Sequence, residues 1–284
     1  MTASANVRPD AKYSFGDLGR PLVLIGAGNM GGAMLEGWLA LGLDPTKVVV
    51  IEPQPGPAVS ALTARGVRLN PDLRGLQAAA VIIAIKPQMA PEVIPGLGPL
   101  LDRPTVVVSI MAGRRLAFLE QALPAGAAIV RAMPNTAAAV GRGITVAVGN
   151  SQVVANQRDL ADRLLGATGR VEWIADEALL DAVTAVSGSG PAYVFLLAES
   201  LARAGAAAGL PTELAERLAR ATLDGAGELL HRSPLDAATL RKNVTSPGGT
   251  TAAALDILMD KDGLDPLLER AVAAATKRSR DLAN

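Results

Sequence analysis

The sequence predicts an α/β fold, an N-terminal Rossmann-type doubly wound sheet followed by an all-helical C-terminal domain. Three observations predict it. Short apolar runs of strand length alternate with helical stretches over residues 20–174, the pattern of a mostly parallel sheet with crossover helices. The first run feeds directly into Gly26-Ala27-Gly28-Asn29-Met30-Gly31, which matches G-x-G-x-x-G. After Ala175 the strand pattern stops, and residues 175–284 read as helices rich in Ala and Leu, broken by Gly or Pro.

Each element has its own warrant. Leu22–Ile25 is continuously apolar, as a strand buried on both faces must be. The glycines that follow allow a tight turn, close approach to a pyrophosphate, and tight packing of the next helix, Met30–Leu41, on the strand. A further strand, Val48–Ile51, ends in Glu52, about 20 residues past the turn, where a carboxylate accepts hydrogen bonds from the ribose of a dinucleotide. A carboxylate there repels a 2′-phosphate and so favours NAD over NADP. Pro53-Gln54-Pro55 supplies no cation to offset it, and Arg65 is the nearest. The alternative is that Glu52 points to solvent and the loop backbone does the binding. Val81–Ile85 is the next buried strand. It ends in Lys86-Pro87 at the carboxyl edge where such sheets bind ligands, and Lys86 faces either the cofactor or solvent. Thr105–Ile110 leads into Met111-Ala112-Gly113, and Ala127–Arg131 into Met133-Pro134-Asn135-Thr136. Gly143–Val148 precedes a helix over 152–167, and Val171–Ile174 closes the sheet.

Composition narrows the function classes. With 284 residues, half of them apolar, the chain can bury a core in each of two domains. Charges balance at 27 against 27 with no basic cluster, which argues against nucleic acid or a membrane surface as partner. Cysteine is absent, excluding disulfides and thiol chemistry and favouring a cytoplasmic setting. His231 is the only histidine, so no metal site is expected. Residues 1–19 lack the apolar core of a signal peptide and read as a loose tail. No stretch reads as the roughly 18–20 apolar residues of a membrane span.

In the helical domain, Asp176–Val186, Pro191–Ala208, Thr212–His231, Thr250–Met259 and Leu264–Leu282 read as helices. Several are apolar on more than one face, Ala192–Ala198 for example, and burial against a second subunit accounts for that. Ser187–Gly190 and Ser246–Thr251 read as loops of small residues and hydroxyls, each ahead of an apolar helix. A helix start with free N–H groups suits an anion such as a substrate carboxylate.

These residues resemble the pyrroline-5-carboxylate reductase family from about Leu22 to Leu282. The resemblance rests on GAGNMG at Gly26–Gly31, IKP at Ile85–Pro87, RAMPNT at Arg131–Thr136, DAVTAVSGSGPAYVF at Asp181–Phe195 and NVTSPGGTTAAAL at Asn243–Leu255. It implies hydride transfer from NADH or NADPH to 1-pyrroline-5-carboxylate, giving L-proline in the last step of proline biosynthesis. It also implies a helical domain that interlocks with its partner in dimers and often larger rings. The nicotinamide cofactor then lies on Gly26, Ala27, Gly28, Asn29, Met30 and Gly31 and on Ile85, Lys86 and Pro87, with Ala112 nearby. The substrate carboxylate falls to Ser246, Gly248, Gly249 and Thr250, with Asn243 also in contact. Thr251 lies near the ring nitrogen and is the expected catalytic residue. Glu52 departs from the small polar residues often found in the family at that strand end, which puts the usual NADPH preference in doubt.

The chemistry suits the composition. A cyclic imine can arrive protonated, so a hydroxyl such as Thr251 or a water completes the proton inventory, and the enzyme chiefly orients its reactants. A β-hydroxyacid dehydrogenase, the nearest alternative, would resemble its relatives in a lysine on the first long helix of the second domain. No lysine occurs between Lys86 and Lys242. A non-catalytic NAD(P)-binding protein would leave the SPGGTT loop idle. Of the remaining residues, Trp38, Trp173, Tyr193 and Phe195 are expected to pack in cores and His231 to cap a helix or lie exposed. Arg131 either closes its strand end or approaches the cofactor.

Overall fold

The computed structural model describes residues 15–282. Most of the expected N-terminal tail, residues 1–14, lies outside the described residues. The chain forms two compact units, one comprising residues up to Gly188 together with Thr276 onward, the other Ser189–Ala275.

The first unit holds an eight-stranded sheet of β1 (Leu22–Ile25), β2 (Val48–Ile51), β3 (Arg68–Leu69), β4 (Ala80–Ile83), β5 (Val106–Ser109), β6 (Ala128–Met133), β7 (Gly143–Gly149) and β8 (Gly169–Trp173). The order is β3-β2-β1-β4-β5-β6-β7-β8. Every pairing is parallel except β6 with β7. Leu22 sits opposite both Val48 and Ala80, so the strand order reverses on either side of β1. That reversal is the switch point where open α/β sheets bind ligands.

The apolar runs follow from double burial. Leu22, Leu24, Val48, Val50, Ala80 and Ile82 face one way, toward Met34, Leu35 and Trp38 of α1 (Asn29–Ala40). Leu164 and Leu165 of α5 (Ala155–Gly166) join that face. Val23, Ile25, Val49, Val81, Ile83 and Val107 face the other way, toward Ile94, Leu97, Leu100 and Leu119. Leu119 belongs to α4 (Leu116–Ala122), which with the short helices α2 (Pro57–Ala61) and α3 (Ala90–Val93) completes the connections. Trp38 and Trp173 pack as expected: the Trp38 Nε1 donates to the Leu164 carbonyl at 2.7 Å, and Arg158 stacks 4.3 Å above the Trp173 ring.

The units divide later than the loss of strand pattern implies, at Gly188 rather than Ala175. Helix α6 (Leu180–Val183) explains why, because Leu180 is buried against Val146 and Val148 of β7. The last helix, α11 (Leu264–Leu282), ends in the first unit, where the Ser279 hydroxyl donates to the buried Asp181 carboxylate at 2.7 Å. Arg115 and Arg280 flank the same carboxylate at 3.8 and 3.9 Å.

The second unit contains α7 (Gly190–Ala207), α8 (Thr212–Arg232), α9 (Ala237–Asn243), α10 (Thr250–Leu258) and the first part of α11. Helices α7 and α8 pack through small residues, with Ala202, Ala215 and Ala219 buried. Two expectations need correction here. Ser187–Gly190 is not an open loop: Thr184–Gly188 is a π-helical turn that follows α6, Ser189 is the N-cap of α7, and α7 starts at Gly190. Within the helical segment Glu177–Ala207, an 18-residue window has a mean hydropathy of 1.3, so by length and composition alone the segment could cross a membrane, contrary to the sequence reading. The reading failed because Gly188 and Gly190 look like punctuation that divides the run. Nor is Phe195 a core residue in the single chain, where it is 64% exposed. Leu196, Leu218, Leu229 and Ile257 are exposed with it.

Candidate active site

The three glycines of the first turn play three different parts. Gly26 has φ +90°, and an added Cβ would meet the Ala84 carbonyl oxygen at 2.8 Å. Its N–H donates to the Ile51 carbonyl at 2.8 Å, while the Ala84 N–H donates to the Ile25 carbonyl at 2.8 Å, so the turn is stitched between β2 and β4. A Cβ on Gly31 would fall 2.2 Å from the Gly26 carbonyl oxygen, so only glycine lets α1 start this close to the strand. Gly28 meets nothing within 4 Å. It is the N-cap of α1, has no side chain to cap with, and accepts the first helical bond from Gly32 at 2.7 Å. The N–H groups of Asn29, Met30 and Gly31 are therefore left without internal partners beside an open space. That cradle fits a pyrophosphate.

Glu52 turns toward this cradle. Its Oε2 accepts from the Ala27 N–H at 2.9 Å and its Oε1 from the Gln54 N–H at 3.1 Å. Ile85, Lys86 and Pro87 follow β4 after Ala84, and Ala112 lies three residues past β5, with Lys86 and Ala112 exposed. All the expected cofactor residues thus gather at the carboxyl ends of β1, β2, β4 and β5. Arg114, which the sequence did not single out, ties two of these loops together by donating from Nε to the Pro87 carbonyl at 3.1 Å.

Two motifs meet at the end of β6. Arg131 is 5% exposed, and its Nη1 contacts the Glu177 Oε1 at 2.6 Å; the same oxygen accepts from the Leu116 N–H at 2.8 Å. Arg131 therefore takes the structural option. The Asn135 Nδ2 donates to the Ser187 Oγ at 3.3 Å, and a Cβ on Gly188 would lie 2.6 Å from the Met133 methyl. RAMPNT and SGSG thus pack against each other. The contact joins residues 52 positions apart, which no local pattern reveals.

The second unit carries the expected substrate residues. Asn243 is the last residue of α9, and α9 is closed by bonds from Val244, Thr245 and the Thr245 hydroxyl to its final carbonyls. Ser246 then opens a turn in which Gly248 has φ +67° and the Gly249 N–H donates to the Ser246 carbonyl at 3.0 Å. Gly249 is the N-cap of α10 and offers no side chain to the helix end. The first helical bond runs from Ala253 to Gly249, at 3.2 Å. The amides of Thr250, Thr251 and Ala252 accordingly have no internal partner, and the turn is small enough for a carboxylate to reach them. Asp236, the N-cap of α9, is held below the ordinary carboxylate range by hydrogen bonds from Thr239. His231 lies exposed in the last turn of α8. Among the described residues no group of three or more His, Cys, Asp or Glu is placed to hold a metal.

Known proteins share both halves. Residues 177–282 match the family model for pyrroline-5-carboxylate reductase dimerisation. Residues 21–113 match that for NADP oxidoreductase, coenzyme F420-dependent. A pyrroline-5-carboxylate reductase of Pseudomonas aeruginosa is 39% identical over 92% of this chain and 96% of its own length. One from Synechocystis is 40% identical over 92% and 97%. The structure of a pyrroline-5-carboxylate reductase from Coxiella burnetii superposes with a TM-score of 0.86 at 34% identity, covering 93% of this chain and 99% of the other. The Plasmodium falciparum enzyme with NADP bound superposes at 0.79 and 28% identity, over 95% and 100%. On this evidence the chain belongs to the pyrroline-5-carboxylate reductase family.

Proposed function

We propose that this protein reduces 1-pyrroline-5-carboxylate to L-proline with NADH or NADPH, the last step of proline biosynthesis. The observation that carries the reading is the Ser246–Thr251 turn, where three unpartnered amides wait at the start of α10, in a chain related to named reductases over nine-tenths of its length. The cofactor supplies the hydride. The chain's own residues bind and orient. The amides of Asn29, Met30 and Gly31 hold the pyrophosphate, with Ala27, Glu52, Ile85, Lys86, Pro87 and Ala112 around the rest of the cofactor. In the second unit, Ser246, Gly248, Gly249 and Thr250 clamp the substrate carboxylate, and Asn243 assists. The Thr251 hydroxyl holds the proton at the ring nitrogen. Thr251 stands in the first turn of α10 and is partly exposed, which leaves its hydroxyl accessible for that task. Clamping the carboxylate fixes the imine carbon and lowers the barrier by orientation, and no strong general base is called for.

The dimerisation match over 177–282 supports self-association. The apolar residues exposed on α7, α8 and α10 are then covered by a second copy, in a dimer or a larger ring. A cytoplasmic location accords with that biosynthetic role. Monitoring NADH and NADPH oxidation with 1-pyrroline-5-carboxylate tests the assignment. Folded protein that binds the cofactor but oxidises neither form with this substrate would overturn it.

A further inference from the structure

The adenosine end of the cofactor site contains a device that the family resemblance does not supply. It begins with Asn70, the residue after β3, which sits in the left-handed region at φ +48°. Asparagine tolerates that conformation better than other side chains do. Asn70 binds the end of β2 three times. Its N–H donates to the Val50 carbonyl at 2.8 Å, its Oδ1 accepts from the Glu52 N–H at 2.9 Å, and its Nδ2 donates to the Glu52 carbonyl at 2.9 Å. Both backbone polar groups of Glu52 are thereby fixed by one side chain. The Glu52 carboxylate is fixed in turn by the amides of Ala27 and Gln54.

This arrangement decides which ribose the site can take. An ionised carboxylate has about four lone-pair positions, and the two amides use one on each oxygen. The remaining positions suit two hydroxyl donors. A phosphate in the same place brings only acceptors and negative charge. The amides of Ala27 and Gln54, the donors a phosphate would otherwise recruit from these loops, are already spent on the carboxylate. Among the described residues Glu52 forms no ion pair, and Arg74 is paired with Asp72.

Resting on the dinucleotide reading of the glycine turn, we infer that Glu52 is the specificity residue of this site, held in place by Asn70 as a positioning residue, and that together they select NADH over NADPH. The discrimination acts at the ribose 2′ position and is independent of the imine substrate.

Fluorescence titration of the full-length protein with NADH and with NADPH tests this by binding alone, so it stands or falls apart from any turnover with 1-pyrroline-5-carboxylate. The wild type is expected to bind NADH at least about tenfold more tightly, given the direct opposition of like charges. Glu52→Gln should move the ratio of the two Kd values at least about tenfold toward NADPH, because charge is lost while size is kept. Asn70→Gly retains the left-handed backbone and removes both side-chain bonds. It should shift the ratio in the same direction by a smaller factor, which a purely structural role would not do. A wild type that prefers NADPH, or a ratio unmoved in Glu52→Gln, overturns the assignment of Glu52. An unmoved ratio in Asn70→Gly overturns that of Asn70. The wild-type ratio needs no variant to fold.

Discussion

Adding one methyl group to each of two glycines in the same turn should separate folding from cofactor binding. At Gly31 the new Cβ would lie 2.2 Å from the Gly26 carbonyl oxygen and 3.2 Å from the Ala84 Cβ. Favourable separations begin near ~3.5 Å, so the start of α1 must retreat by roughly 1.3 Å from a backbone atom that cannot rotate away. Overpacking of this kind costs about 1–3 kcal/mol. A domain of this size loses about 2–4 °C of Tm per kcal/mol, which places Gly31→Ala roughly 2–12 °C below the wild type. Gly28 is the opposite case. It meets nothing within 4 Å and has φ −68° and ψ −159°, a conformation open to alanine. Replacing glycine at a helix N-cap costs less than about 1 kcal/mol. The methyl would nevertheless stand where the pyrophosphate approaches. Losing one hydrogen bond to a charged group, about 1.5–3 kcal/mol, weakens NADH binding roughly tenfold to a hundredfold. Calorimetric melting and NADH titration on the same preparations measure both quantities. Gly28→Ala protein that binds NADH like the wild type, or that melts as early as Gly31→Ala, would refute the division of roles among the glycines.

Thr251→Ala should lower kcat by about tenfold to a hundredfold, no more than the low end of the range for a positioned proton donor because water can replace the hydroxyl, and leave the Kd for NADH unchanged. Gly249→Val brings bulk to a position where even a Cβ lies 3.1 Å from the Ser246 carbonyl oxygen; steady-state kinetics should show a raised KM with smaller change in kcat. Aspartate at both Phe195 and Ile257, which are 64% and 74% exposed in the single chain, should remove about 1.5–3 kcal/mol of burial per side chain. Light scattering would then report a lower mass than the wild type, and an unchanged mass would place the interface elsewhere. Asp102 is held below the ordinary carboxylate range chiefly by its hydrogen bond from Arg20. The stability it contributes is complete above the unfolded value near ~3.9 and is lost as the pH falls through the lower folded value. Acid titration of unfolding should show a shallower loss for Asp102→Asn.

The sequence reveals what double burial and backbone necessity write into it. Strand β1 is legible residue by residue because Leu22, Val23, Leu24 and Ile25 are all buried, two on each face of the sheet. The glycine turn is legible because two of its three glycines are demanded by sterics. Short elements leave too little pattern: α2, α3 and the two residues of β3 have no period to detect. The reversed direction of β7 is silent as well, since Ala147 and Val148 are as buried as residues of any parallel strand. Within the site, Glu52 can be found by counting from the glycines. Asn70 cannot, because its role exists only once β3 has paired with β2. The SGSGP stretch misleads for a different reason. Glycines usually end helices, but a π turn passes through Ser187 and Gly188; Pro191 falls, as expected, in the first turn of α7, where no N–H is missed.

The bond between Ser279 and Asp181 also sets an order of events during synthesis. The two residues are 98 positions apart, and at about 5–20 residues per second the hydroxyl follows the carboxylate out of the ribosome by roughly 5–20 s. All of α7 to α10 is made in that interval, with Leu196, Leu218 and Ile257 exposed as the helices form. Bringing the ends of such a loop together costs about 4 kcal/mol in chain entropy before any contact is made, so the helices between must be folded enough to shorten the search. Until then Asp181 has its arginine neighbour Arg115 and no hydroxyl. The sheet unit, begun at the first strands, closes only on chains synthesised through residue 279.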